Sequence, residues 1–278
     1  GILTMVLAVF LFSSCDIIAK WLGQYAYPPA ELVFFRYLFG IIPVTLLIWK
    51  TGINSIKTKR PGLHSLRAIL IASALGLLFW SIQLMPLAEV VAIAFVAPLF
   101  VTALSVPLLK EIVGIRRWCA VIVGFIGALI ILQPGTDAFR VEAFLVIASA
   151  LIFSFAMILT RHMSSTETTT AIFTYTTLGA CLLAIPFLEL DWRVPDTNHL
   201  WLLVLLGILG GSAAILIIIS YRSAPAAIVS PFEYTGLIWS ASAGWIVWSE
   251  KPGPMVWLGA LIIITSSIYI TRRETRTV

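Results

Sequence analysis

Four charged side chains interrupt stretches that are otherwise apolar: Asp16, Lys20, Arg36 and Glu233. A charge near the middle of a bilayer costs ~2.5–3.5 kcal/mol on insertion scales, so such residues usually face a helix bundle or a wet cavity. Asp16 stands near the end of the first apolar stretch and Arg36 near the start of the second. At ~1.5 Å per residue both lie ~8–9 Å deep on antiparallel neighbours and are placed to pair. Lys20 is four residues from Asp16 on one helix face and is a rival partner. Two readings stand. Either the cluster binds or gates a charged group of a substrate, or Asp16 pairs with Lys20 while Arg36 snorkels outward.

Glu233 has its own argument. A stretch beginning after it would leave only residues 234–248, which rise ~22 Å against a ~30 Å hydrocarbon core. Glu233 therefore belongs inside, just after Pro231, whose missing N–H frees a backbone carbonyl. The side chain is read as an amine-binding or proton-binding site. The alternative is a neutral carboxyl bonded to a neighbouring helix. Pro98 falls near the middle of another stretch and is expected to kink it or act as a hinge. Trp80, Gln83, Tyr175, Tyr234 and Trp239 are candidates for a cavity wall. Glu89 and Glu250 stand at stretch ends and are expected to be solvated. His64, His162 and His199 are expected in three separate loops, with no metal-ligand spacing. Cys15, Cys119 and Cys181 occur singly and read as small packing residues. No metal or cofactor is expected. The sequence contains no Gly-Lys dipeptide and no His-Glu-x-x-His or Gly-x-Ser-x-Gly, so nucleotide-driven and hydrolytic chemistries lack their motifs.

The elements that hold these residues follow from composition. Of 278 residues, 60% are hydrophobic and 11% charged, against about 25% charged in a soluble domain; mean hydropathy is +1.03. Lipid must be the solvent for most of the chain. Ten stretches are long and apolar enough for membrane helices, roughly 2–22, 31–49, 67–85, 90–109, 115–132, 143–161, 169–189, 200–220, 228–248 and 255–271. The first lacks a basic leader and a following soluble domain, and is expected to be a span rather than a signal peptide.

With the N-terminus inside, thirteen basic residues fall in inside segments: Lys50, Lys57, Lys59, Arg60, Arg67, Lys110, Arg116, Arg117, Arg161, Arg222, Arg272, Arg273 and Arg276. Three fall outside: Arg140, Arg193 and Lys251. That bias predicts cytoplasmic termini. The run at 57–60 is read as a loop anchor rather than a nucleic-acid patch.

An internal repeat runs through the chain. Pro86 and Pro225, Ala88 and Ala227, Glu111 and Glu250, and Trp118 and Trp257 are each separated by 139 residues, half of 278. Leu11-x-x-Ser14 matches Leu151-x-x-Ser154 at 140. The division predicted is 1–139 and 140–278, five spans each. An odd number inverts the second copy, the recurring plan of secondary transporters. The halves differ where Pro98 faces Leu237 and Asp16 faces Ala156. Gly207-x-x-x-Gly211 and Gly124-x-x-x-Ala128 suit close internal packing, with a homodimer face as the alternative to a monomer.

The stretch Met85-Pro-Leu-Ala-Glu-Val-Val-Ala-Ile-Ala-Phe-Val-Ala-Pro98, its counterpart Ala224-Pro-Ala-Ala-Ile-Val-Ser-Pro-Phe-Glu-Tyr-Thr235, and Arg36 within Phe34-Phe35-Arg36-Tyr37 resemble the drug/metabolite transporter superfamily, of the ten-span kind with two EamA-type repeats. The resemblance implies an all-α membrane protein with a central cavity between two inverted five-helix repeats. It implies transport of a small molecule across a bacterial inner membrane, with export of amino acids, including aromatic ones, as the nearest activity and uptake or efflux of another metabolite or drug (amine, S-adenosylmethionine or riboflavin-like) as the alternative. Arg36 and Glu233 together suit a zwitterion.

Overall fold

In the computed structural model, residues 1–278 are described except 111–113, 137–138, 190, 225 and 275–278; no side chain is described at 226–227, 230, 271, 273 or 274. The repeat matches at Glu111 and Pro225 thus lie outside the described residues.

Helices carry the fold, because only a structure that satisfies its own backbone hydrogen bonds can cross lipid. They are α1 (Ile2–Gln24), α2 (Pro29–Thr51), α3 (Pro61–Leu84), α4 (Leu87–Leu109), α5 (Ile115–Leu132), α6 (Ala143–Met163), α7 (Thr169–Leu188), α8 (Leu200–Ser223), α9 (226–248) and α10 (Pro254–Glu274). Eight of these, α1 to α8, are long and apolar enough to span by length and composition alone; α10 holds a shorter apolar segment, Pro254–Ile270. The ninth is interrupted by a 3-10 turn at Ser230–Tyr234.

Two boundaries differ from expectation in ways that move candidate residues into helices. The third helix begins at Pro61 instead of near 67, since proline suits the first helical turn. His64 and Arg67 are thereby buried helix residues rather than loop residues. His162 likewise lies in the last turn of α6.

Each half repeats the other's geometry. Pro61–Leu84 and Leu200–Ser223 have equal lengths and are offset by 139, as are 87–109 and 226–248. Lys110 and Ser249, also 139 apart, both end their helices in the left-handed region, at φ 56° and 57°. Packing obeys the same exchange. Helix α1 packs on α8 as α6 packs on α3, and α1 packs on α9 as α6 packs on α4. The pairs α2–α7, α4–α9 and α5–α10 each join an element to its own counterpart. With five helices per half, the two halves run through the bundle in opposite senses. The chain is an all-α membrane protein of two inverted five-helix repeats. Helices α1, α3, α4, α6, α8 and α9 form its middle, flanked by α2–α7 on one side and α5–α10 on the other.

Three of these spans break in mid-course. Pro43 has no N–H for the Phe39 carbonyl, and α2 is interrupted at Phe39–Gly40. Pro98 does the same to the Ala94 carbonyl, and α4 breaks at Phe95–Val96. In α9, Pro231 stands within the 3-10 turn. Glycines admit the bent segments. A Cβ on Gly207 would collide with the α2 backbone at Phe39–Gly40, and one on Gly211 with the Pro43 ring. Helices α5 and α10 meet backbone to backbone at Gly127 and Gly259. Gly124 of the other small-residue motif packs on Leu99, so both motifs are used internally.

Candidate functional site

The breaks in α4 and α9 meet. Phe95 and Tyr234, 139 residues apart, pack edge to face with ring centroids 4.9 Å apart. Equivalent residues that touch mark the axis relating the halves, and here it passes through the two interrupted helices. Irregular backbone at this depth is tolerated where it is enclosed by protein or lines a cavity. Pro98 opens the second segment of α4 rather than kinking a continuous helix. Its counterpart Leu237 leaves α9 to break through Pro231, six residues earlier.

Asp16 lies on the inner side of α1. Leu3, Leu7, Phe10, Trp21 and Tyr25 form the outward stripe, while Phe12, Asp16 and Lys20 follow one another at i, i+4 on the opposite face. Asp16 is only partly buried although it points inward, so it borders open space inside the bundle. Arg36 is buried, which excludes snorkelling. Its guanidinium lies 5.8 Å from the Phe12 ring and 5.7 Å from the Tyr37 ring. On α8 it fills the place a Cβ of Gly210 would occupy. Among the described residues Arg36 makes no hydrogen bond and no ion pair within 4.0 Å. The enclosed, unpartnered side-chain nitrogens there belong to His64, Trp239 and Trp248. The Arg36 donors therefore keep access to open space.

Lys20 does not pair with Asp16. Its ammonium reaches Glu250 at 2.5 Å and the Met85 carbonyl at 2.7 Å, 5.4 Å from the Trp248 ring centroid. The other Glu250 oxygen accepts from the Leu87 N–H at 3.0 Å, the first turn of α4, where a carboxylate complements the helix dipole. Glu89 faces Arg140 at 3.8 Å. The expectation that Glu89 and Glu250 are merely solvated is corrected: the 249–253 loop folds back over the start of α4. Around this knot lies a cavity of about 290 Å³ bordered by Lys20, Gln24, Gln83, Arg140 and Glu250. Gln83 thus does border a cavity, at the end of the bundle, where it donates to the Tyr27 carbonyl at 3.1 Å. Nearby, Tyr27 bonds His199 and accepts from the Asp196 N–H, clasping the 191–199 loop onto the connection between α1 and α2. The Asp196 carboxyl is held below its ordinary range, chiefly by the Asn198 N–H.

The remaining candidates disperse. Trp80 shares the exposed stripe of α3 with Leu66, Ile69 and Leu84, and does not join Gln83 on an inner wall. Trp239 packs in a satellite cluster with Met5, Val9 and Val229, edge-on to Phe10. Glu233 accepts a hydrogen bond from Tyr221 of α8 and is not beside Arg36 in any described pairing. Tyr175 lies against the His64 ring, 4.6 Å between centroids. His64 in turn meets Glu167 at 3.3 Å, a buried pair joining the two halves. Three functional candidates escaped sequence reading. Glu250 and Glu167 look like loop acids, and Arg67 looks like the last residue of a basic loop. The Pro61-Gly62 start of α3 was the one available signal that Arg67 is helical.

A model of the EamA-like transporter family matches the chain twice, at residues 1–133 and 140–272. A riboflavin transporter of Vibrio cholerae is 31% identical, covering 99% of this chain and 94% of the relative. An S-adenosylmethionine uptake transporter of Rickettsia felis is 28% identical, at 99% and 93%. A pseudopaline exporter of Pseudomonas aeruginosa is 30% identical, at 99% and 96%. One solved structure superposes with a TM-score of 0.64 at 17% identity, covering 96% of this chain and 98% of the other, a likeness of fold. One of these relatives is named for uptake and one for export, and none of the three is named for amino-acid export. Two family matches in tandem and full-length relatives that are all transporters agree with the inverted, cavity-bearing bundle: the chain belongs to the EamA-like transporter family.

Proposed function

We propose that this protein is a secondary carrier of small aminocarboxylate metabolites in the bacterial inner membrane. Residues 1–139 and 140–278 alternate access to a site between them, and both termini are cytoplasmic. The observation that carries this reading is the Phe95–Tyr234 contact, where two equivalent interrupted helices meet on the axis. A site on that axis exchanges its exposure when the halves exchange conformations. Arg36 offers its planar donors to a carboxylate, and Asp16 offers an acceptor to an ammonium. Asp16 replaces Glu233 as the amine partner because it borders the same interior space as Arg36. Glu233, tied to Tyr221 at the break in α9, is assigned an accessory amine or proton role reached when that bond opens. Pro98 and Pro231 are assigned the hinges.

S-adenosylmethionine, named for the Rickettsia relative, carries an α-ammonium and an α-carboxylate. Riboflavin carries neither, and is the second reading on the strength of the Vibrio relative. Counterflow separates the two. Purified protein in liposomes preloaded with either unlabelled solute is offered the labelled form. Saturable uptake with counterflow of S-adenosylmethionine is expected, reduced about ten-fold or more by Arg36→Gln or Asp16→Asn, the scale of one lost charge-assisted bond. Counterflow of riboflavin alone would transfer the assignment to the second reading. Flux that rises linearly, without counterflow, would remove the carrier mechanism.

A further inference from the structure

Arg67 is a second buried guanidinium, 7% exposed, with no acid within 4.0 Å among the described residues. From α3 its Nε donates to Thr160 Oγ1 of α6 at 2.6 Å, and its Nη1 donates to Thr176 Oγ1 of α7. Both hydroxyls spend their own protons on helix carbonyls, Thr160 on Ala156 and Thr176 on Ile172, each at 2.6 Å. Their oxygens are therefore committed as acceptors, and the two bonds fix the orientation of the guanidinium. Among the described residues no carboxylate lies within 4.0 Å of it. Glu167, the acid at this end of α7, pairs with His64.

A guanidinium has five N–H donors. The threonines take two. Three remain, including at least one on each terminal nitrogen, and a pair on adjacent nitrogens is the edge that grips a carboxylate in two parallel bonds. Nη2, which makes no hydrogen bond, is not among the enclosed, unpartnered side-chain atoms of the described residues, so the terminal side of the guanidinium is not sealed at that nitrogen.

The position of this edge in the fold matters as much as its chemistry. The α3/α6/α7 junction is the repeat image of the α8/α1/α2 junction that holds Arg36. Thr176, which anchors Arg67, stands 140 residues after Arg36. Each junction thus contains one buried guanidinium, contributed by different helices. At the first junction the inward face of α1 carries a carboxyl, Asp16. At the second, no carboxylate of the described residues lies within 4.0 Å of Arg67. A charge withdrawn from water and held only by neutral hydroxyls is costly, and an arriving anion relieves that cost.

We propose that Arg67 is a second substrate-binding residue that presents its free edge to a carboxylate, so that the carrier favours aminocarboxylates bearing an additional acid group. This rests on the aminocarboxylate reading of Arg36 and Asp16. The test uses the full chain in lipid nanodiscs and the matched probes L-glutamate and L-glutamine, nearly equal in shape and differing by one charge. Their tritiated forms are bound at constant ionic strength. Wild type is expected to hold glutamate about ten-fold more tightly than glutamine, the worth of one charge-assisted contact. Arg67→Gln should bring that ratio to about one, chiefly by weakening glutamate; Arg36→Gln should weaken both probes. Arg67→Lys keeps a charge in the fold but lacks the two-nitrogen edge. It should lower the ratio to below about three, and it serves if the glutamine variant does not fold. A wild-type ratio of one, or a ratio that survives either Arg67 substitution, overturns the assignment of Arg67 alone. Failure of wild type to bind either probe overturns the aminocarboxylate reading and this inference with it.

Discussion

Gly210 decides where Arg36 goes. The guanidinium occupies the volume next to the α8 backbone that any other side chain would claim, and a charge enclosed there cannot retreat to water. Gly210→Ala is therefore expected to displace Arg36 and to cost about 1–3 kcal/mol, the usual range for overpacking. The cost should shrink in an Arg36→Met background, because the two residues contend for one space. A double-mutant cycle by thermal melting measures that coupling, and strictly additive effects would contradict the packing. At this scale the sequence was partly legible. That Arg36 and Asp16 share a depth follows from counting residues. That Lys20 abandons Asp16 for Glu250 does not, because a four-carbon stem reaches whatever the fold brings near its tip. Local spacing names candidates for a partner without choosing among them.

The elements show how two prolines at unrelated positions do one job. Pro98 in α4 and Pro231 in α9 are not repeat equivalents, yet the segments they interrupt restart at equivalent places, Ala97 in one and Thr235–Gly236 in the other. Kinks could be expected from the prolines; the meeting of Phe95 with Tyr234 could not, since it depends on how α4 and α9 cross. The start of α4 is held by a loop from the other half. Glu250 accepts its first N–H and neutralises Lys20, whose side chain is 8% exposed. Glu250→Gln leaves a buried ammonium without its counter-charge. Stability should fall by about 3 kcal/mol, the lower part of the range for breaking a buried pair because Glu250 is itself partly exposed. A cysteine introduced at Leu84, beside that cavity, should react faster with a polar maleimide in the variant. Equal labelling rates would mean that the knot does not close this end of the bundle.

The whole molecule is organised by charge as well as by symmetry. Basic residues cluster at the end of the bundle that carries the 52–60 and 164–168 loops, and the opposite end holds Arg140, Arg193 and Lys251. The proposed orientation places Lys57 and Arg140, both exposed, on opposite faces of the membrane. Single cysteines at these positions in otherwise cysteine-free protein, probed in intact cells with an impermeant maleimide, should report Arg140→Cys labelled and Lys57→Cys protected. Labelling of both from one side would exclude the inverted arrangement. Cys119, the exposed native thiol, must be removed first.

Composition, apolar length and a half-chain period were enough to determine that the chain crosses a membrane many times as two related halves. Each is a one-dimensional quantity: burial in lipid taxes polar residues wherever they stand, and a duplicated segment keeps its spacing. Partnership is three-dimensional. Whether Glu250 meets water or Lys20, whether Arg67 belongs to a loop or to a buried junction, and whether Trp80 looks inward or toward lipid depend on helix rotation and on which loops fold back. Those are set by packing at a few glycines and prolines, where a fraction of an ångström of backbone approach determines which side chains can touch.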